Sequence, residues 1–177
     1  MKSVEAFAHT RRGQDGQCTE MTPGLFARAA LWSALAFVAN LGWEIAHARL
    51  YTIWATKDRI DIAWSVLHCT VGDVLMALAL FVVAGVALRR ADWPTSRPWM
   101  GGAIVVTSAV AFTAWSEWYN VYRVGSWSYT ASMPLIFGIG LSPLLQWLIL
   151  PPLMMGGHRM LLPEERVVVK SSRSCAK

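Results

Sequence analysis

Four long apolar runs separated by short polar connections set the pattern of this chain. They cover residues 25–54, 61–88, 99–119 and 133–157. Each holds the ~20 residues that a helix needs to cross a ~30 Å hydrocarbon layer. The predicted fold class is all-α: a polytopic membrane protein, a four-transmembrane-helix bundle with no sheet. Residues 1–24 and 158–177 are polar and are predicted as cytoplasmic tails. Thr22-Pro23 reads as a helix start, Thr as N-cap and Pro at the first helical position. The first run would be ~45 Å long as one helix, so it must tilt or project.

The polar positions inside these runs are more informative. Offsets of four and three put Asn40, Glu44 and His47 on one stripe of the first helix. The second run adds His68 and Asp73, the third ends on Glu117 and Asn120, and the fourth carries Gln146. Polar groups in hydrocarbon are costly, so Asn40, Glu44, His68, Asp73, Glu117 and Gln146 are predicted to face the bundle interior, with His47 at its outer rim. Gly138-Ile139-Gly140-Leu141-Ser142-Pro143 predicts a kink or a break in the fourth helix, because Pro143 lacks a donor and crowds the preceding turn.

Charge then orients the chain. It is 55% hydrophobic and 15% charged, against about 25% charge in an ordinary soluble domain. Most of its 16 Lys and Arg fall near the two ends and between Arg89 and Arg97; only Arg49, Lys57, Arg59 and Arg123 fall in the other two connections. Positive-inside bias therefore predicts both termini in the cytoplasm and gathers Glu44, His47, His68, Glu117 and Asn120 toward the outer face. Trp54, Trp64, Trp118, Tyr119, Tyr122, Trp127 and Tyr129 then read as an outer aromatic belt, and Trp93 and Trp99 as an inner one. The basic residues follow membrane orientation rather than an aromatic-interleaved basic face, so nucleic acid is not an expected partner; the bilayer and a lipid-soluble small molecule are. Cys18, Cys69 and Cys175 are scattered and predicted as free thiols.

An ungapped shift that lays Glu44 on Glu117 also lays Asn40 on Thr113, His47 on Asn120, Trp54 on Trp127 and Asp73 on Gln146. A duplicated two-helix hairpin gives such a pattern; chance matching of apolar helices is the alternative. Three chemistries fit the polar residues. Glu44, Glu117 and His68 are candidate catalytic groups for proton transfer on a lipid-soluble substrate, the two carboxylates being expected to approach each other and share a proton. Glu44-x-x-His47 has carboxylate-bridged metal spacing, which makes His47, His68, Glu44 and Glu117 weak metal candidates, although Glu117-x-x-Asn120 breaks the second copy of the motif. His47 and His68 could ligate one haem. The bland alternative is a structural polar core of Asn40, Asp73, Asn120 and Gln146 in a non-catalytic subunit or assembly factor. Cofactor content and oligomeric state stay open.

Five stretches carry a resemblance: Trp43-Glu44 with Leu50-Tyr51-Thr52-Ile53-Trp54; His68-Cys69-x-x-Gly72-Asp73-Val74; Ser116-Glu117-Trp118-x-Asn120; Gly125-Ser126-Trp127-x-Tyr129 with Met133-Pro134; and Gly138-x-Gly140-Leu141-Ser142-Pro143-Leu144-Leu145-Gln146-Trp147. Together they resemble a group of short bacterial four-span inner-membrane proteins. That resemblance implies location and helix count, and no activity. The chain is also loosely similar in kind to small intramembrane isomerases of the emopamil-binding type. No ordered motif of theirs matches, so no residue roles carry over.

Overall fold

The computed structural model describes residues 24–162. Cys18, Cys175, the Thr22-Pro23 helix start and most of the two predicted tails lie outside the described residues, but the predicted tail from residue 158 begins too early: the last helix runs to Leu161 and buries His158. Four long helices dominate: α1 (Leu25–His47), α3 (Arg59–Leu88), α5 (Pro98–Tyr119) and α6 (Leu141–Leu161). Two short ones, α2 (Ile53–Thr56) and α4 (Trp93–Ser96), sit in the connections. α1 packs on α3 and α6, and α5 packs on α6 and α3, so the four long helices close into a ring. Among the described residues, three helical stretches are long and apolar enough to cross a membrane: Leu25–Leu50, Arg59–Leu88 and Pro98–Val124.

One end of the ring is filled by aromatic side chains. Trp32, Phe81, Trp93 and Trp147 are buried together with small residues such as Ala36, Ala77 and Ala84. Two indoles are tied to helix backbone: Trp32 Nε1 donates to the Ala77 carbonyl at 3.0 Å, and Trp93 Nε1 to the Phe81 carbonyl at 3.1 Å. Each satisfies its one polar atom while burying the largest apolar side chain available. Trp93 is therefore core, correcting its placement in an inner belt. Trp99, by contrast, is 90% exposed.

The helix ends explain several departures from the predicted spans. α3 starts cleanly because the Asp58 carboxylate accepts from the Ile60 and Asp61 amides at 2.9 and 2.8 Å. α1 does not run to residue 54. It ends at His47, passes through one tight turn over Ala48–Leu50, and yields to an extended Tyr51. The fourth helix does not begin at residue 133. Phe137 and Gly138 both have positive φ, 51° and 82°, the type I′ pattern that closes a two-residue hairpin. Leu135–Ile136 thereby pairs antiparallel with Ile139–Gly140, a minimal sheet where none was predicted. Because α6 opens only at Leu141, Pro143 falls in its first turn, where a missing donor costs nothing. The predicted kink at Pro143 is thus replaced by a helix start. The prolines inside α6 are Pro151 and Pro152.

Candidate functional site

Where α1 and α5 end, the connections that follow them zip together. Thr52 N donates to the Ser128 carbonyl and Thr130 N to the Leu50 carbonyl, both at 2.9 Å. Tyr51 and Tyr129 lie opposite each other in this antiparallel bridge. A side-chain contact between Thr52 Oγ1 and Ser128 Oγ at 2.9 Å reinforces it. The result is two phenols from distant parts of the chain converging on one carboxylate. Tyr129 Oη donates to Glu117 Oε2 at 2.6 Å, and Tyr51 Oη lies 3.3 Å from both Glu117 oxygens. Burial, with the Glu117 carboxylate beside it, holds the Tyr51 hydroxyl well above the usual phenol range. Burial and the hydrogen bond to Glu117 do the same for Tyr129. Both therefore remain O–H donors at any ordinary pH. The sequence pattern placed Tyr129 in an aromatic belt, and the structure makes it a ligand of Glu117.

The other carboxylate of the pair has its own partner. Glu44 Oε1 lies 3.2 Å from His47 Nε2, one turn along α1. The opposite ring nitrogen, Nδ1, lies 2.9 Å from Ser142 Oγ in the first turn of α6. The ring thus lies between a carboxylate of its own helix and a hydroxyl of α6, which fixes its orientation. His47 is buried rather than placed at a rim. The expected direct Glu44–Glu117 pair is replaced by two separately partnered carboxylates facing one cavity.

A third polar group lies deeper. Gln146 Nε2 donates to Asn40 Oδ1 at 2.7 Å and to Asp73 Oδ2 at 2.8 Å, joining α6 to α1 and α3. Asn40 Nδ2 in turn donates to the Ala36 carbonyl at 2.7 Å, which accounts for both polar ends of a side chain with no exposed surface. Asn120 sits apart from this network. Its amide donates to the Ser116 carbonyl at 2.9 Å, and its Oδ1 accepts from the Ser126 hydroxyl at 3.0 Å.

These groups line a cavity of about 900 Å³ between the long helices. Glu44, His47, Asp73, Asn120, Glu117 and Gln146 all contribute to its wall. Most of the remaining wall is apolar, including Phe112, Leu75, Met76 and Trp147. His68 also lines it, but its residue is exposed on α3, and the predicted interior position is corrected accordingly. Asn40 and Asp73 therefore bond to Gln146 and not to His68.

Among the described residues, no three His, Cys, Asp or Glu side chains come together as a metal site. The four weak metal candidates stand as follows: Glu44 and His47 face each other, Glu117 accepts from two phenols, and His68 lies exposed on the cavity wall. Both His47 nitrogens are engaged, which also removes it as a haem ligand in this arrangement. Sequence reasoning missed Tyr51, Tyr129 and Ser142 as parts of the site. All three carried some signal, as members of conspicuous motifs with no chemical role attached. Comparison with protein-family models, with curated proteins and with solved structures gives no match for this chain.

Proposed function

We propose that this chain is a four-span protein of a bacterial inner membrane, both termini cytoplasmic, whose cavity carries out proton transfer on a lipid-soluble substrate. Three apolar helices support a membrane location. The 21-residue α6, ~32 Å long and packed into the same ring, supplies the fourth crossing. The bond between Asp73 and Gln146, and the shared cavity of Glu44 and Glu117, suit a duplicated hairpin, since the shift pairs those same residues.

One observation carries the functional reading: the cavity of about 900 Å³ brings a Glu44–His47 pair and a phenol-held Glu117 against a mainly apolar wall. Glu44 exchanges the proton, and His47, fixed by Ser142, takes up or returns the charge. Glu117 presents an oriented carboxylate to the polar part of the substrate. His68, exposed along the cavity wall, is placed to exchange protons with the outside. Against a mainly apolar wall, such groups act more strongly than in water.

The test uses carbon-bound deuterium. Purified protein is incubated with a bacterial lipid extract in D2O, and the lipids are examined by mass spectrometry. The expected result is deuterium in one lipid class, lost in folded Glu44→Gln and Glu117→Gln variants. No lipid gaining label above a protein-free control overturns the reading. The second reading, a non-catalytic subunit with a structural polar core, is favoured by the Asn40–Gln146–Asp73 network, which joins three helices. It expects no label, and Gln variants that keep their cellular phenotype.

A further inference from the structure

The composition of the cavity wall narrows what can occupy it. The titratable groups facing the space are Glu44 and His47 from α1, Tyr51 from the turn beyond it, His68, Cys69 and Asp73 from α3, and Glu117 from α5; α6 contributes none. Three carboxylates thus face the space, and no Lys or Arg side chain does. Arg123 lies over the Trp118 ring at 5.2 Å, away from the lining, and Arg49 lies over the Trp54 ring at 5.4 Å, at the edge of the wall, without itself lining the space. Around the carboxylates the wall is aromatic, with Tyr51, Trp127, Trp147 and Phe112. Tyr51 and Trp127 meet edge to face at 6.4 Å. Aromatic faces and carboxylates together are the surroundings that recognise an organic cation. An anionic head would meet three acids and no Lys or Arg in the wall itself.

The cavity also reaches the outer surface of the ring. Leu75 of α3 and Phe112 of α5 both line it, yet they are 61% and 51% exposed. In a bilayer that surface faces lipid tails, so an apolar chain can leave the cavity sideways without meeting water. From this juxtaposition we propose that the occupant is a lipid-soluble amine bound as its monocation, with its ammonium among Glu117, Asp73 and the aromatic rings and its tail passing between α3 and α5 into the membrane. The proposal rests on the reading of this cavity as the substrate site. It leaves the Glu44–His47 pair free for proton transfer.

The experiment compares three probes with one tail and different heads: dodecylamine, dodecanol and dodecyl phosphate. Each is titrated into full-length protein in nanodiscs of zwitterionic lipid at neutral pH, with empty discs as control. Tryptophan fluorescence reports occupancy, since Trp54, Trp127 and Trp147 line the space. The expected result is saturable binding of dodecylamine, with dodecanol and dodecyl phosphate each weaker by about tenfold or more. Asp73→Asn and Glu117→Gln should each weaken the amine and narrow its advantage over dodecanol. The order of the three probes on the unaltered protein is decisive even where a variant fails to fold. Dodecanol binding as tightly as the amine overturns the cation assignment while leaving a substrate cavity in place. Dodecyl phosphate binding most tightly overturns it by sign. Absence of saturable binding by all three overturns the amine proposal, and the deuterium experiment then judges the proton-transfer reading separately.

Discussion

Replacing Gln146 with leucine tests whether the polar network holds the ring together. The native amide donates twice from one nitrogen, at 2.7 Å to Asn40 and at 2.8 Å to Asp73. Gln146→Leu removes both bonds and leaves the Asn40 carbonyl without that donor in a site with no exposed surface. Leaving a buried group unsatisfied costs about 1–3 kcal/mol in water-soluble proteins. Bonds between membrane helices average nearer ~0.6 kcal/mol, with the best near ~1.7. Two bonds at membrane values give a loss of about 1–3 kcal/mol, with Asn40 toward the upper end because of its burial. Reversible unfolding in mixed dodecylsulfate micelles, followed by tryptophan fluorescence, measures it. A cycle with Asn40→Leu isolates the pair: the double variant should lose about 1 kcal/mol less than the two single losses added together. A Gln146→Leu change within ~0.5 kcal/mol of the parent, or strict additivity in the cycle, refutes the bridging role.

Three further outcomes follow from particular contacts. Gly101→Ala should lose about 1–3 kcal/mol in the same assay, because an added Cβ overlaps the buried, hydrogen-bonded Trp93 indole, whereas Gly156→Ala, with open space around it, should not. Stability should fall as pH rises past about 10, where the unfolded phenols ionise while folded Tyr51 and Tyr129 keep their protons: the unfolded state then binds fewer protons, so the slope of unfolding free energy with pH is negative. The double variant Tyr51→Phe/Tyr129→Phe should flatten that decline, and an unchanged slope between pH 9 and 11 counts against the raised phenols. Topology reporters fused at Thr56 and Ser128 should read outside, and one at Thr95 inside; a cytoplasmic signal at Ser128 removes the four-span arrangement.

How much of this was legible in the sequence depends on the range of the interaction. The three apolar helices were legible because composition alone specifies them. The Asn40–Glu44–His47 stripe was legible because helical spacing is local. Asp73 and Gln146 were legible as interior groups, and their mutual bond was hinted at by the shift that aligns them. Pro143 was misread because its effect depends on where the helix begins. That start is set by the Phe137-Gly138 turn, and a phenylalanine at positive φ leaves no signature in the sequence. Trp93 was misread for a related reason: a tryptophan near a span end anchors at the headgroups unless a gap between helices accepts it, and Gly101 provides that gap. His68 fails differently. Its neighbours face the cavity, and the helix phase carries the residue itself to the surface.

Tyr51 and Tyr129 show the harder limit. Each lies in a connection rich in aromatic residues, where anchoring at the headgroups accounts for a phenol equally well. Their role arises only because two loops pair with each other, through Thr52 with Ser128 and Leu50 with Thr130. No local pattern encodes that pairing. It has a mechanical consequence: Glu117 sits on α5, yet its two donors are held by segments beyond the ends of α1 and α5. Keeping both phenols on the carboxylate therefore requires the two loops to stay paired.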